Sequence, residues 1–172
     1  VNPLEFRLGP QQWFEQNLLK NNRTPIRTIL SMEESKASSD VPRPLGLRTN
    51  AKVLLVTILG EADRLPVNLG YHYFPLARMP GIVEALRAFG DKPSRNFSFS
   101  TILASVGVTD WRRKTIRIRS RLPSREEAMR LKIAPSDPLL VTSVVSVDAK
   151  NVPVVFAHTC YGSSRTELVI DL

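Results

Sequence analysis

Two stretches of the sequence, LLVTILGEADRLPVNLGYHYF (residues 54–74) and LLVTSVVSVDAKNVPVVFAHTCY (residues 139–161), follow one plan. Each begins with a long β-branched apolar run, passes through a polar turn that closes in Pro-Val, and ends in an aromatic-rich run. This pattern predicts a β-hairpin in each stretch. Two related hairpins paired about a pseudo-twofold axis would form one antiparallel sheet. The alternative is two unrelated hairpins that share only the features common to all hairpins.

The repeat also predicts which side chains share a face of the sheet. It aligns Phe74 with Tyr161, and His72 shares the face of Phe74 because side chains alternate along a strand. His72 is therefore expected on the sheet face that also carries Val155 and Tyr161.

The rest of the chain surrounds the hairpins with helices and further strands. Helical spacing or capping residues mark residues 9–22, 80–90, 98–108 and 123–133. Strand alternation marks residues 24–35, 111–122 and 165–172, and the Pro- and Gly-containing residues 38–47 predict a turn or one short helix. Grouped strands with helices inserted between them are typical of an α+β fold with an antiparallel sheet.

The composition excludes several classes of protein. The 172 residues suit one domain, and no apolar run approaches the ~20 residues of a membrane span. Cys160 is the only cysteine, so an internal disulfide is excluded and a reducing cytoplasm is expected. No cluster has metal-ligand spacing, and no nucleotide-binding or hydrolase motif is present. The chain does not begin with Met and is expected to be a fragment or a processed form.

The net charge of +8 suggests an anionic partner. Alternation in the stretch TIRIRSR places Arg117, Arg119 and Arg121 on one face of a strand. That face is either a solvated surface or an electropositive wall for a small anion or a nucleic acid. Because only Trp111 could stack on a base nearby and no helix-turn-helix pattern occurs, a standalone nucleic-acid-binding module remains the alternative.

The predicted helix start in RNFSFST (residues 95–101) is a second candidate anion site. Backbone N–H groups and the helix dipole favour an anion at a helix N-terminus. Arg95, the hydroxyls of Ser98 and Ser100, and Thr101 surround this end. The stretch therefore predicts a cradle for a small phosphate-like anion.

Four stretches in their joint order resemble a known family. They are TPIRTILSMEESKASSDVPRPLGL (24–47), HYFPLARMPG (72–81), WRRKTIRIRSRLPSREEAMRLKI (111–133) and VDAKNVPVVFAHTCYGSSRTELVI (147–170). Together they are similar to the UTRA domain, the effector-binding domain of the HutC subfamily of GntR-type bacterial transcription regulators. The stretches HYFPLARMPG and RLPSREEA are most similar to regulators of phosphonate uptake and metabolism.

This resemblance implies a fold, a partner and an organisation. The fold is chorismate-lyase-like: an α+β domain whose antiparallel sheet is built from two related hairpin units, with flanking helices. Residues 24–172 would be the ligand-binding domain, and residues 1–23 the linker and helix that follow a missing winged helix-turn-helix domain. The domain would be a cytoplasmic homodimer that senses a phosphonate, phosphate or related small anion, and would contact DNA only through the missing domain. No catalysis, metal or cofactor is implied, and the alternative is a chorismate-lyase-like enzyme.

The resemblance also implies particular ligand-binding positions. Relatives that sense sugar phosphates hold the phosphate on backbone amides at a helix start, which matches Ser98, Phe99 and Ser100. A tyrosine of those relatives matches Tyr161, and Val155 stands where they have a glutamate that binds the sugar. The resemblance therefore implies that this sheet face lines the ligand, where His72 and Tyr161 are expected to donate to a ligand oxygen, with His72 gaining charge below pH ~6.5.

Positive charge is expected to come from other positions than in those relatives. Two strand arginines that help to hold their phosphate are matched by Thr57 and Leu59, and an arginine near the end of the domain is matched by Arg165. Arg78, Arg95 and Arg117 are candidates to replace the missing charge. The resemblance therefore implies an anion cradle without sugar recognition.

Overall fold

The computed structural model describes residues 2–37 and 42–172. The strands are β1 (Leu4–Arg7), β2 (Pro25–Lys36), β3 (Lys52–Ala62), β4 (Leu65–Pro75), β5 (Trp111–Arg121), β6 (Leu139–Asp148), β7 (Pro153–Gly162) and β8 (Thr166–Val169). The helices are α1 (Phe14–Lys20), α2 (Pro42–Leu45), α3 (Ile82–Arg87), α4 (Phe99–Ser105) and α5 (Arg125–Leu131), with a 3-10 turn at Leu76–Arg78. The predicted turn or helix over residues 38–47 includes α2, but residues 38–41 lie outside the described residues.

The central sheet has six strands in the order β2-β3-β4-β7-β6-β5, and every neighbouring pair is antiparallel. The β3–β4 and β6–β7 hairpins meet at its centre, where β4 pairs with β7 from Asn68–Tyr161 to Tyr73–Phe156. Antiparallel neighbours at the centre are the arrangement that a pseudo-twofold axis between two hairpins produces. The predicted α+β fold with two related hairpin units is confirmed.

Helices α3 and α4 cover one face of this sheet. Ile82 and Leu86 recur at helical spacing in α3, and Ile102 and Leu103 are the buried residues of α4. All four belong to one cluster of buried side chains with Phe74 of β4. Burying these apolar faces against the sheet is what stabilises such short helices, which are marginal in isolation.

Helix α5 lies over the opposite face. Ser124 and Glu127 form a capping box at its start, as the sequence Ser-Arg-Glu-Glu indicates. Lys132 adopts the left-handed conformation at its end. Its buried Leu131 packs with Leu139 and other residues of this sheet face.

The first residues of the chain pack on the sheet rather than leading away from it. β1 pairs in parallel with β8, a two-stranded element that the sequence did not reveal. Phe6, Phe14 and Leu18 are buried in one cluster, and the Asn17 side chain bonds to both the backbone N–H and the carbonyl of Arg7. The segment predicted as a linker is thus fixed to the domain. No helix in residues 2–37 or 42–172 is long and apolar enough to cross a membrane.

Candidate functional site

A cavity of about 290 Å³ lies between the sheet and the N-terminal ends of α1 and α4. Much of its wall is aromatic, with side chains from β1, from α1 and its cap, from α4 and from β5: Phe6, Trp13, Phe14, Phe99 and Trp111. Polar side chains reach it from five strands and from both helix starts. Among the described residues, no group of three His, Cys, Asp or Glu side chains could hold a metal ion.

Half of the residues predicted from the sequence line this cavity. The sheet contributes three of them because alternation puts them on one face, and the start of α4 contributes the others. They are His72, Val155, Tyr161, Ser98, Phe99 and Ser100. The structure thus brings together two groups of residues that the sequence suggested by separate arguments.

Two predicted arginines instead hold loops in place. Arg78 Nη1 donates to the carbonyl oxygens of Leu45, at 2.8 Å, and Pro153, at 2.7 Å. Arg165 Nη1 donates to the carbonyl oxygen of Leu131 at 2.7 Å. Neither arginine lines the cavity, and both have the partners of a structural residue.

The other predicted positions also lie away from the cavity. Arg117 lines an open groove on the opposite face of the sheet together with Tyr71, and Thr57 pairs with Tyr71 in the adjacent strand. Arg95 and Thr101 are exposed, although the Thr101 N–H donates to Ser98 Oγ at 3.3 Å as part of the helix cap. None of the three arginines expected to replace the missing charge, Arg78, Arg95 and Arg117, therefore lines this cavity.

Arg27 of β2, which the sequence did not single out, supplies charge instead. Its side chain is 12% exposed, and its guanidinium carbon lies 4.5 Å from the Phe14 ring centre and 5.3 Å from that of Phe99. Its Nε is 3.1 Å from Glu15 Oε1, which is an ion-pair distance. The N–H does not point at that oxygen, so within the described residues neither atom has a hydrogen-bond partner. Burial lowers the pKa of Arg27 and Glu15 opposes this shift.

Arg113 of β5 is the second cation of the cavity. Its Nη1 donates to the carbonyl oxygens of Gly9 and Gln12, and its guanidinium carbon lies 4.5 Å from the Trp13 ring centre. Burial, and to a lesser degree the charge of Arg27, lower the pKa of Arg113 to about 10, so it stays protonated at neutral pH. Two like charges held in one cavity favour an anion between them.

His72 lines the cavity as a neutral group. Its ring centre lies 4.7 Å from that of Phe99, and it folds over Gly70, where a Cβ would come within 2.6 Å of His72 Nε2. Burial, with help from the charges of Arg27 and Arg113, lowers the pKa of His72 to about 3. The expectation that His72 gains charge below pH ~6.5 is therefore wrong. A neutral imidazole can still donate from one ring nitrogen and accept at the other.

Tyr161 of β7 is buried, and its ring centre lies 5.2 Å from that of Phe6. Burial raises the pKa of its phenol, and the nearby arginines and Asn68 oppose that shift. Because the phenol stays protonated, its O–H remains a hydrogen-bond donor. Across the strands, Arg27 aligns with Gly60, Gly60 with Asn68, and Asn68 with Tyr161.

Gly60 keeps the middle of this row open. A Cβ at Gly60 would lie 2.8 Å from the ring of Phe14 and would also collide with the Asn68 side chain. A larger residue would therefore push α1 off the sheet. The glycine in the middle of an otherwise apolar strand is a signal that another element approaches closely.

A β-bulge explains why Arg113 was missed. The register of β5 against β6 shifts between Arg113 and Thr115, so that Arg113 pairs with Ser146 and Ile116 with Val144, both of which line the cavity. Strict alternation instead groups Arg113 with Arg117. The sequence did contain a signal for Arg27. Alternation puts this charged residue on the same strand face as Ile29, which is buried in the core.

The comparisons with known proteins agree with this architecture. The family model described as the UTRA domain matches residues 20–167. An uncharacterized HTH-type transcriptional regulator of Rhizobium meliloti (strain 1021) is 23% identical over 158 residues. That alignment covers 92% of this chain and 62% of the relative, so the chain spans less than two thirds of that protein.

Solved structures show the same fold at low identity. PhnF from Mycobacterium smegmatis has a TM-score of 0.84 and 21% identity, over 100% of this chain and 72% of that one. The effector domain of the same protein has a TM-score of 0.82 and 20% identity, over 98% of each chain. The family model covers most of the chain, and the chain therefore belongs to the UTRA-domain family, the effector-binding domains of GntR-type transcriptional regulators.

Proposed function

We propose that this domain senses a small anionic metabolite of the phosphonate or phosphate class, binds it in the cavity between Arg27 and Arg113, and releases it unchanged. The observation that carries this proposal is the pair of buried arginines that line one cavity. Arg27 Nε has no hydrogen-bond partner within the described residues, and a buried unsatisfied donor costs stability until a ligand supplies the acceptor.

The cavity suits an anion that carries an organic group. Its volume of about 290 Å³ exceeds what a five-atom oxyanion fills, since one water occupies about 30 Å³ of the liquid. The aromatic wall would contact an organic substituent, while Ser98, Ser100 and Tyr161 offer hydroxyl donors to the oxyanion. The sequence resemblance to regulators of phosphonate metabolism supports a phosphonate as this ligand.

The same geometry suggests how the ligand would regulate DNA binding. Trp13, Phe14 and Glu15 give the cavity a wall that comes from the start of α1, which follows β1 in the chain. We place a winged helix-turn-helix domain before residue 1 in the full-length regulator, in a repressor whose DNA affinity depends on the ligand. An occupant that contacts α1 would then fix the segment that leads to the DNA-binding domain.

A thermal-shift screen against phosphate, sulfate, alkylphosphonates and sugar phosphates tests the ligand class. At a hundredfold excess over Kd a ligand stabilises by about 2.7 kcal/mol, which raises Tm by roughly 5–10 °C for a domain of this size. A phosphonate or phosphate should produce this shift. If only neutral compounds do so, the ligand class is wrong.

Tryptophan fluorescence gives an independent readout. The two tryptophans of the chain, Trp13 and Trp111, stack in the cavity wall with ring centres 4.2 Å apart and an interplanar angle of 16°. A stabilising ligand should change their emission in a saturable titration with the same Kd. A ligand that raises Tm without changing this emission would bind outside the cavity.

We also propose that the domain forms a twofold homodimer, because regulators that read paired half-sites match the symmetry of their operators. Light scattering at tens of micromolar should give twice the mass of one chain, in a range where dimers with Kd of about 1 μM form. If light scattering gives the mass of one chain at that concentration, this domain does not carry the dimer contact, which would then lie in other parts of the full-length protein.

A further inference from the structure

The cavity carries a carboxylate that a plain anion would not need. Among the described residues that line it, the charged side chains are Arg27, Arg113 and Glu15. His72 is neutral, since its pKa lies at about 3. The cavity therefore holds one net positive charge, and a ligand of net charge −1 would neutralise it.

Glu15 also has an unused acceptor. Its Oε1 is buried and has no hydrogen-bond partner within the described residues, although Arg27 Nε lies only 3.1 Å away. The ion pair balances charge without hydrogen-bonding either atom. Each atom is thus free to bond with a ligand group of opposite sign. A buried acceptor in this state is costly unless a donor reaches it.

Candidate ligands differ in how well they complete this arrangement. A dianion such as an alkylphosphonate would satisfy the arginines but leave the site with one net negative charge and Glu15 without a donor. A monoanion such as a carboxylate would balance the charge and still leave Glu15 Oε1 unpartnered. A dianionic oxyanion joined to an ammonium group would both balance the charge and supply the donor.

We propose that Glu15 is a specificity residue that recognises a cationic amine on the ligand, so that the effector is a zwitterion of net charge −1, a phosphonate that carries an amine on a short alkyl chain. This inference rests on the proposed function of the cavity. The short chain follows from the 3.1 Å between Glu15 Oε1 and Arg27 Nε, which places the two recognition groups side by side.

A matched pair of probes tests this inference by calorimetry: ethylphosphonate and 2-aminoethylphosphonate, which differ by one ammonium group. The parent protein should bind the amine at least about tenfold more tightly, as expected for one buried hydrogen bond between charged groups. Glu15→Gln should lose that preference and bind ethylphosphonate at least as tightly as the parent does, because the site gains one net positive charge.

Two further variants separate recognition from damage to the fold. Glu84→Gln makes the same chemical change at an exposed position of α3 outside the cavity and should keep the parent's preference. Glu15→Asp keeps the charge and should keep the sign of the preference, even if Glu15→Gln does not fold. A change in preference with Glu84→Gln, or a reversed preference in Glu15→Asp, would overturn the assignment.

The outcomes distinguish the two proposals. If ethylphosphonate binds and the amine adds nothing, or if the amine's advantage survives in Glu15→Gln, the role of Glu15 is wrong while the anion site stands. If neither phosphonate nor inorganic phosphate binds the parent at millimolar concentration, the proposed function and this inference both fail.

Discussion

The two faces of the central sheet carry polar clusters that differ in how completely they are hydrogen-bonded. On the α5 side, Glu127 accepts two bonds from Arg121, at 2.7 and 2.9 Å, and a third from Tyr71 at 3.1 Å. On the cavity side, Arg27 Nε and Glu15 Oε1 lie 3.1 Å apart, and neither has a hydrogen-bond partner within the described residues.

Strands β4 and β7 contribute side chains to both faces. Tyr71 and His72 are neighbours in β4 and point to opposite faces, as do Cys160 and Tyr161 in β7. On the α5 side, Cys160 Sγ also donates to the Glu127 carboxylate at 3.4 Å. A satisfied buried network stabilises the fold, whereas an unsatisfied one lowers stability and is where a ligand can bind.

The largest expected effect comes from removing the unsatisfied charge. The test ligand is a phosphonate or phosphate that stabilises the parent. Arg27→Met should lower the affinity for this ligand at least about 100-fold, or about 3 kcal/mol, because truncating a buried charge partner costs 2–5 kcal/mol. The Tm of the free protein should also fall, since removing one partner of the ion pair leaves the Glu15 carboxylate without its counter-charge. Calorimetry and thermal unfolding measure both effects.

Arg117→Met is the matched control on the opposite face of the sheet. It makes the same substitution at an exposed arginine that does not line the cavity. We expect binding within about twofold of the parent. Equal losses in the two variants would mean that net charge, rather than the cavity, determines affinity.

Disrupting the fully bonded cluster should lower stability without weakening ligand binding. Glu127→Gln keeps a side chain that can complete the capping box, but it removes the charge that Arg121 and Tyr71 contact. We expect a loss of about 2 kcal/mol in the free energy of unfolding, with ligand affinity nearly unchanged. Glu126→Gln, at a neighbouring exposed position, should change stability by less than about 0.5 kcal/mol. Chemical denaturation checks both values.

The stability loss in Glu127→Gln should also depend on pH. Bonds from Arg121 and from the Ser124 N–H lower the pKa of Glu127 to about 2. In the unfolded chain a glutamate titrates near 4.3, so Glu127 contributes its full stabilisation above that pH and loses it as the pH falls toward 2. The difference in unfolding free energy between parent and Glu127→Gln should therefore shrink as the pH falls below ~4. A constant difference down to pH ~2.5 would contradict this.

A smaller effect is expected at Tyr161. Tyr161→Phe removes one hydroxyl donor and should weaken the anion about tenfold without unfolding the domain, since one bond to a charged group contributes ~1.5–3 kcal/mol. Tyr73→Phe removes a hydroxyl on the other face and should leave affinity unchanged. An unchanged affinity in Tyr161→Phe would show that the phenol does not contact the ligand.

The smallest expected effect concerns His72 and pH. His72→Gln should weaken binding by up to about tenfold at pH 7. Because the pKa of His72 is about 3, its charge should add no pH dependence to binding between pH 5 and 8. Its pKa is near 6.5 in the unfolded chain, so its burial lowers stability as the pH falls from 6.5 toward 3. If His72→Gln loses as much stability as the parent does between pH 6.5 and pH 3, His72 is not a buried neutral imidazole.

The repeat made the fold predictable, and local alternation made half of the site predictable. His72, Val155 and Tyr161 came from period two along two strands that form a regular ladder. Ser98 and Ser100 came from a helix start that the chain forms where its sequence indicates. These inferences needed only local information and one long-range pairing between the hairpins.

The charged half of the site depended on features that alternation does not reveal. The bulge between Arg113 and Thr115 moves Arg113 to the cavity face and leaves Arg117 on the other. The role of Glu15 depends on the packing of α1 against the sheet, which is anchored by the unpredicted pairing of β1 with β8. The bulge is a local irregularity of the β5–β6 pairing, whereas the β1–β8 pairing joins the two ends of the described chain, as Leu4 with Thr166, and neither leaves a periodic pattern in the sequence.

A co-crystal structure with the phosphonate that most raises Tm tests the central claim most directly, because it locates the anion relative to the two faces. The account predicts phosphonate oxygens within hydrogen-bond distance of Arg27, with Arg113, Tyr161 and the Ser98–Ser100 segment around the same ligand. A ligand bound instead along Arg117 and His158 in the groove of the opposite face would contradict it.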